Sequence, residues 1–267
     1  MTFSSFKRRI RFLFLLVILS LFFLPDSWSQ VNTEKFRKYY TRDGFLYNLR
    51  STFAVRGGNS EYGSMNFAGR IDHNGKKFDQ FLVANFEYKS TSSKQISNNG
   101  FIHLRGMWNV RKRTNLEFFL QREYDRFVDL NSRSLGGTSI KYQLVDNINS
   151  DSTKSFFVNV STGIMYEDEI YASEPENIQK NLMRSTNFIS LDLVLKEKLN
   201  LNGIFYYQPA FNNLQDYRFA SWLTIDFAIA KRFYFVFQIW AKYNSLPVND
   251  KKPYDFSIEN GIRFEFP

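Results

Sequence analysis

The stretch SWLTIDFAIAKRFYFVFQIWAKY, residues 221 to 243, decides the fold. Every second residue from Leu223 to Ile229 is large and apolar, and the residues between them are small or polar, which is the period of two of a β-strand. After Lys231-Arg232, every second residue from Phe233 to Ala241 is again apolar. The stretch therefore predicts a β-hairpin with one apolar and one mixed face. Its arms are about 10–12 residues long, close to the roughly 9–11 residues of a strand that crosses a bilayer.

The composition agrees with a membrane barrel. The 267 residues include 30 Phe, 15 Tyr and 4 Trp, yet the mean hydropathy is −0.37, so a bundle of apolar helices is not expected in the body of the chain. A barrel with a lipid-facing outside and a wet inside needs aromatic and polar residues in alternation. Cysteine is absent, so stability must come from strand pairing and burial rather than from disulfides.

The N-terminus predicts export. Basic residues precede the apolar run Phe12–Leu24, and small residues occupy positions 27 and 29. The run of about 13 residues is shorter than the roughly 20 of a spanning helix, so we expect a signal peptide over residues 1–29, cleaved before Gln30. Residues 30–44 then form a short periplasmic segment, and residues 45–267 form the barrel. The net charge of +9 is dispersed, and an exported protein is not expected to bind nucleic acid.

Alternation and turn signals divide the barrel region into twelve strands, an even number as in bacterial outer-membrane barrels. The register of Phe78–Lys89 stays open, because Phe81 and Val83 share a face with Asp79, Asn85 and Glu87. The other predicted strands are Phe45–Arg56, Tyr62–Asp72, Phe101–Val110, Leu116–Phe127, Ser134–Val145, Phe156–Glu167, Arg184–Lys196, Leu199–Gln208, the two arms of the opening hairpin, and Tyr254–Phe266.

Short and long connections alternate. The long ones are predicted at Ser90–Asn99, Asp168–Met183, Pro209–Asp216 and Asn244–Pro253, and mostly short turns lie between them. Short periplasmic turns and long outer loops are typical of outer-membrane barrels. The sequence therefore predicts an all-β, up-and-down antiparallel transmembrane β-barrel of about twelve strands in a bacterial outer membrane. Aromatic residues near the outer loops predict one interfacial belt: Tyr88, Tyr124, Tyr166, Tyr207, Trp222, Tyr243 and Tyr254. A second belt is predicted near the turns: Trp108, Tyr142, Phe233, Phe264 and Phe266.

The last strand, Tyr254–Phe266, is similar to the aromatic-ended terminal strands of bacterial barrels, although Pro267 follows its final Phe. That resemblance implies the barrel-assembly machinery as a partner. Membrane lipid and lipopolysaccharide are the other expected partners.

Three motifs carry a family resemblance: QREYDRF at residues 121–127, Gly136-Gly137 with Tyr142, and GIMYEDE at residues 163–169. With them, the region from about Asn48 to Phe266 resembles the salt-induced outer-membrane proteins, a bacterial family of unknown function. The resemblance implies an outer-membrane barrel and no established chemistry.

Charged residues on the predicted inner face are the candidate functional residues. They could form a charge-selective pore lining or pair with one another across the strands. Mixed signs favour pairing, and twelve strands favour a narrow or occluded lumen. The candidates that line the lumen are Arg50, Arg70, Glu87, His103, Arg105, Glu117, Glu123, Asp125, Lys141, Asp192, Asp226, Glu259 and Arg263.

Catalytic chemistry has little support in the sequence. The only histidines are His73 and His103, which argues against histidine metal sites, and we expect no cofactor. The acidic run Glu167-Asp168-Glu169 predicts a solvated loop, with a divalent-cation site as the alternative. We therefore expect a structural or porin-like protein that is not an enzyme. The alternatives are an outer-membrane lipase or deacylase that uses His103 with a serine, and a soluble periplasmic lipocalin-like binder.

Overall fold

A computed structural model describes residues 44–58, 61–92, 94–148, 154–195, 198–230 and 233–264. The predicted signal peptide, residues 30–43, the Lys231-Arg232 turn and Phe266 lie outside the described residues. Within the described part, no helix has the length and apolar character needed to cross a membrane.

The regular structure of these residues consists of twelve strands and the 3₁₀ helix Arg126–Val128. The strands are β1 Gly44–Arg56, β2 Tyr62–Asn74, β3 Phe78–Thr91, β4 Gln95–Arg111, β5 Thr114–Asp125, β6 Leu130–Ile148, β7 Lys154–Tyr171, β8 Ile178–Leu195, β9 Leu199–Pro209, β10 Tyr217–Ala230, β11 Phe233–Asn244 and β12 Tyr254–Phe264.

Each strand pairs antiparallel with the next, and all twelve form one sheet in the order β1 to β12. In the hairpin that opened the sequence analysis, Trp222 is opposite Trp240 and Ile225 is opposite Phe237. These observations confirm the predicted all-β, up-and-down antiparallel fold of twelve strands.

The sheet curls into a barrel. Arg218 on β10 reaches Glu167 and Glu169 on β7, and Lys251 after β11 reaches Asp129 before β6, at 2.9 Å. Contacts between elements so far apart in the strand order require one face of the sheet to be enclosed. β1 and β12 are the two ends of the strand order, and no ladder joins them among the described residues.

The two faces of the sheet are opposite in character. On β5, Glu117 and Glu123 point inward and are 0% and 4% exposed, whereas Phe118 and Leu120 point outward and are 47% and 61% exposed. The alternation therefore places charge inside the barrel and apolar surface outside. Soluble proteins have the opposite arrangement, because their charged residues are almost never fully buried unless they are paired.

Several strands are longer than predicted at the loop end. The predicted loop Ser90–Asn99 is wrong, because β3 continues to Thr91 and β4 begins at Gln95. The predicted loop Asp168–Met183 is also wrong, because β7 continues to Tyr171 and β8 begins at Ile178. Polar residues in these segments signal loops, but here they continue the strand alternation above the apolar surface.

The interior also holds apolar side chains. Phe81 and Val83 are buried and contact Met107 and Phe101, which resolves the open register of β3. Trp222 was predicted to belong to the outer aromatic belt, and this is wrong. It packs inside against a cluster of buried residues, because it lies in the inward phase of β10 with Ala220. The members of that cluster are Phe188, Ile204, Tyr206 and Ala220.

Two glycines, one on β6 and one on β7, allow neighbouring strands to approach closely. A Cβ on Gly163 would meet the Thr138 carbonyl oxygen and would lie 2.5 Å from the Ser139 Cβ. A Cβ on Gly137 would lie 2.6 Å from the Phe119 ring. Glycine permits this close approach where a sheet turns a corner. Both glycines belong to the motifs that carry the family resemblance.

Candidate functional site in the barrel interior

Arg133 is at the centre of the interior network. It points inward near the start of β6, and its side chain is 0% exposed. One guanidinium nitrogen lies 2.8 Å from Glu123 on β5, and another lies 2.5 Å from Glu167 on β7. Its Nε is 3.1 Å from Glu169. This one side chain therefore joins carboxylates on both neighbouring strands.

Two further arginines reach the same carboxylates. Arg184 on β8 pairs with Glu167 and, at 2.8 Å, with Asp216. Arg218 on β10 lies 3.2 Å from Glu167 and 2.8 Å from Glu169. Strands β5, β6, β7, β8 and β10 are thus connected by one continuous set of ion pairs.

We call this set the arginine cluster. It contains three cations and four carboxylates, so removal of an arginine leaves the buried carboxylates with fewer cations, and burial of an unmatched charge costs several kcal/mol. Charged hydrogen bonds of this kind are directional and tie strands in fixed positions. The cluster fills the interior near the loop end of the barrel. Its members are Arg133, Arg184, Arg218, Glu123, Glu167, Glu169 and Asp216.

A small apolar cap closes the same end. Val248, in the connection after β11, packs with Val128, Leu130 and Tyr171. Around it, Lys251 donates to the Phe127 carbonyl oxygen at 3.2 Å, and Asn249 donates to the Ala172 carbonyl oxygen at 2.5 Å. The β11–β12 connection therefore crosses the mouth of the barrel and attaches to the connections after β5 and β7.

A chain of hydrogen bonds leads from the cluster toward the middle of the barrel. The Glu123 carboxylate accepts a hydrogen bond from the Gln121 side-chain amide at 2.7 Å. The Oε1 atom of the same amide lies 3.0 Å from His103 Nδ1. The His103 ring lies between the rings of Phe81 and Phe119, with centroids 5.8 and 6.4 Å away.

A second set of charges lies deeper. Glu117 is 3.0 Å from Arg105 and 3.7 Å from Lys141. It thereby balances two buried cations from the strands on either side of β5. The inward residues of β4, β5 and β6 are therefore matched across the strands at this level as well.

All thirteen predicted lumen residues lie in the inward phase of their strands. Arg70 bonds Asp72, Glu87 lies 3.0 Å from Lys89, and Asp226 lies 2.8 Å from Arg263. Arg50 and Glu259 are on the edge strands β1 and β12 and are exposed. Two further predicted residues have described partners. Asp192 accepts a hydrogen bond from Asn202, and Asp125 caps the 3₁₀ helix.

Sequence reasoning missed most of the arginine cluster. Of its seven members only Glu123 was predicted, because the others lie in segments that were assigned to loops, to strand ends or to the outer surface. The acidic run was predicted as a solvated loop, and this is wrong, since Glu167 and Glu169 are 0% and 1% exposed in β7. The alternation of Met165, Glu167 and Glu169 with Ile164, Tyr166 and Asp168 was the available signal.

Asp125 ends β5, just beyond the outward Tyr124. Its carboxylate accepts from the Phe127 backbone N–H at 3.0 Å. Burial raises the pKa of Asp125 to about 6, against the opposing effects of that hydrogen bond and of Lys242. Asp125 therefore changes charge near the pH of mildly acidic surroundings.

The inward carboxylates of the described residues lie mostly beside cations. In the described ranges, no group of three or more His, Asp or Glu side chains is arranged to hold a metal ion. Of the acidic run considered for a cation, Glu167 and Glu169 are matched by guanidinium groups, and Asp168 accepts from Gln179 at 2.8 Å. The arrangement connects neighbouring strands through charged hydrogen bonds.

Comparison with known proteins gives a family and two distant structural likenesses. The model of a family described as Protein of unknown function, DUF481, matches residues 52–266. No curated protein matches the sequence. The translocator domain of the autotransporter NalP from Neisseria meningitidis aligns at 10% identity with a TM-score of 0.36, covering 83% of this chain and 87% of that one. A chain from work on the in-meso crystallization of membrane proteins aligns at 12% identity with a TM-score of 0.31, covering 80% and 84%.

Proposed function

The chain belongs to the DUF481 family, whose function is unknown, and we propose that it is an outer-membrane β-barrel whose polar lumen is closed at the loop end. The observation that carries this proposal is the inversion of the two faces, with charged residues buried and large apolar residues exposed. In water such a surface would associate, because exposed apolar patches of this extent mark contact with lipid or protein. In a bilayer the same surface meets hydrocarbon and is favourable.

Lipid also requires the sheet to be closed. Each unpaired backbone N–H or C=O in hydrocarbon costs several kcal/mol, so spanning sheets close into barrels. β1 and β12 have complementary inner faces, since Arg50 is central on β1 and Glu259 is central on β12. We expect these strands to pair antiparallel with Arg50 opposite Glu259. The double variant Arg50→Cys with Glu259→Cys tests this register, and we expect it to form a disulfide in the membrane. The double variant Arg50→Cys with Ser64→Cys is the control and should form none, because Ser64 is opposite Ala54.

The proposed role is structural or porin-like, with an occluded lumen and no enzymatic activity. The arginine cluster and the cap both lie across the loop end, so ions have no open path there. Planar-bilayer recording of the purified protein tests this role. We expect no steady conductance from the native protein. Replacement of Val248 by Asp, which places a charge in the apolar cap, should produce openings.

Steady ion-selective steps from the native protein would overturn the closed lumen and favour an open porin. Extraction of the mature protein from cells without detergent would overturn membrane insertion and favour a soluble binding barrel. A control variant, Phe127→Asp, carries the same new charge on an exposed residue of the β5–β6 connection at the same end of the barrel and should leave the bilayer silent.

Targeting is part of the proposal. The basic and apolar start of the chain supports export with cleavage before Gln30, and the mass of the mature protein from outer-membrane fractions tests it. We expect lipopolysaccharide and membrane lipid around the barrel, and recognition of the last strand by the barrel-assembly machinery. Induction by salt follows from the family resemblance alone, and protein levels measured at low and high salt test that part separately.

A further inference from the structure

The outer face of the barrel is not uniformly convex. A cavity of about 380 Å³ opens on it across β9 to β12. Ser221 and Ala241 are directly opposite each other and form its floor. Ser221 is opposite Phe205 on β9, and Ala241 is opposite Phe256 on β12. Two small outward residues therefore lie between two phenyl rings in one row across four strands.

Aromatic rings bound this groove on the loop side. The Phe219 ring is 4.9 Å from Tyr207 and 6.3 Å from Tyr243, and Tyr217 stacks on Tyr243 at 5.7 Å. Tyr254 is opposite Tyr243. The rings form a connected apolar wall, and the hydroxyls of Tyr217 and Tyr243, which hydrogen-bond each other, lie where strands meet loops. Tyrosines prefer this position at the boundary between hydrocarbon and headgroups.

Positive charge lies next to the same boundary. Lys252 is exposed and precedes Tyr254 by two residues. A lysine at this height is complementary to the phosphate of a lipid headgroup. Along the strands the groove runs from tyrosine hydroxyls to an apolar channel one outward row below, and Lys252 lies in the connection beyond the tyrosines. A phosphorylated lipid has the same order, from phosphate through ester or amide to acyl chain.

We propose that this groove binds one acyl chain of the lipid A part of lipopolysaccharide, with its phosphate near Lys252. The inference rests on the proposed function, which places the loop end of the barrel in the outer leaflet. The choice of an acyl chain over a second protein copy follows from shape. The floor is only two strands wide, about 5 Å between strands, so it accepts a single chain more readily than a protein surface.

Native mass spectrometry of the detergent-solubilised protein, titrated with bis-phosphorylated lipid A, tests the proposal. We expect the native protein to retain one lipid A molecule, and Ala241→Phe, which fills the groove, to lower its occupancy at least tenfold. Ala84→Phe is the matched control, because Ala84 is a small outward residue on β3, opposite Gly69 and Ile102. It should bind as the native protein does. Lys252→Gln should weaken lipid A binding severalfold and leave phosphatidylcholine binding unchanged.

Equal retention by the native protein and Ala241→Phe would overturn the groove as the site. A native dimer that Ala241→Phe dissociates would assign the groove to a second copy and would also overturn the proposal. Insertion into vesicles is measured in parallel by heat-modifiable migration on gels. A protein that inserts and yet retains no lipid A refutes the groove alone, whereas a protein that does not insert refutes the proposed function as well.

Discussion

Replacement of Arg133 by Met is the most direct test of the arginine cluster. Methionine keeps much of the aliphatic volume and removes the guanidinium group. Glu167 would keep Arg184 and Arg218, and Glu169 would keep Arg218. Glu123 would keep its hydrogen bond from Gln121 and the nearby charge of Lys242, but would lose its 2.8 Å ion pair. The cluster would change from three cations with four carboxylates to two cations with four carboxylates.

The expected loss follows from these contacts. At an effective dielectric constant of about 20, unit charges at the 2.8 Å separation of Arg133 and Glu123 attract by about 6 kcal/mol before desolvation is subtracted. Removal of one partner from a buried ion pair typically costs about 3–5 kcal/mol. We expect Arg133→Met to lower the free energy of unfolding by this amount. Adding Glu123→Gln to Arg133→Met should recover about 1–3 kcal/mol of the free energy of unfolding, because it removes the charge of the carboxylate that has lost Arg133.

Urea titration of the protein folded into phospholipid vesicles, followed by tryptophan emission, measures these differences. Arg122→Met is the matched control, since Arg122 is exposed on the outer side of β5 and donates only to Ser134 at 3.4 Å. Its removal should change stability by less than about 1 kcal/mol. If Arg133→Met and Arg122→Met unfold at the same urea concentration, the buried ion pairs do not hold the strands together and the reasoning fails.

Three other substitutions test separate parts of the structure by the same titration. Gly163→Ala should lower the free energy of unfolding by about 1–3 kcal/mol through overpacking. Gly261→Ala, with nothing within 4 Å of the added Cβ, should be nearly neutral, and equal losses would contradict the close packing at Gly163. Glu117→Gln leaves Arg105 and Lys141 without their shared carboxylate and should cost about 3–5 kcal/mol. Glu176→Gln, at an exposed position of the β7–β8 connection, should cost little, and similar values for both would contradict matched burial. The raised pKa of Asp125 means that its neutral form favours folding below about pH 4 and that this contribution disappears as the pH rises through about 6. Relative to Asp125→Asn, the native protein should therefore lose stability between pH 4 and 7, and a constant difference over that range would contradict the assignment.

The outer surface was predictable from the sequence because one rule governs it. Outward positions such as Leu223, Ile225 and Phe227 are mostly apolar, so alternation was enough to find all twelve strands. Strand ends were less predictable. At Glu167-Asp168-Glu169 both phases are charged, and alternation by apolarity has nothing to detect there, although the strand continues.

The interior was predictable only in its phase. Alternation showed that Glu117, Glu123 and Lys141 point inward. It did not show that Arg218 on β10 would meet Glu167 on β7, since that contact depends on how tightly the sheet curls between strands that are not neighbours in the ladder. Trp222 was assigned to the wrong face for another reason. Its residue type suits both an interfacial belt and the barrel interior, and only its phase in β10 distinguishes the two.

Ion pairs in the interior also explain how the chain selects one register. Well-packed apolar residues often replace buried ion pairs at no cost in stability, so stability alone does not account for seven charged groups in one cluster. Apolar residues at these positions would, however, make both faces of β5 to β8 alike. A shift of one residue would then exchange the two faces at little cost. With Arg133, Glu167 and Arg184 in the inward phase, the same shift would move three charges into lipid. An arginine in lipid costs about 2–4 kcal/mol at the bilayer midplane and about 0–1 kcal/mol near the interfaces, and a glutamate costs less. The shift would also break the ion pairs of the cluster, so the charges disfavour the shifted registers that an apolar interior would permit.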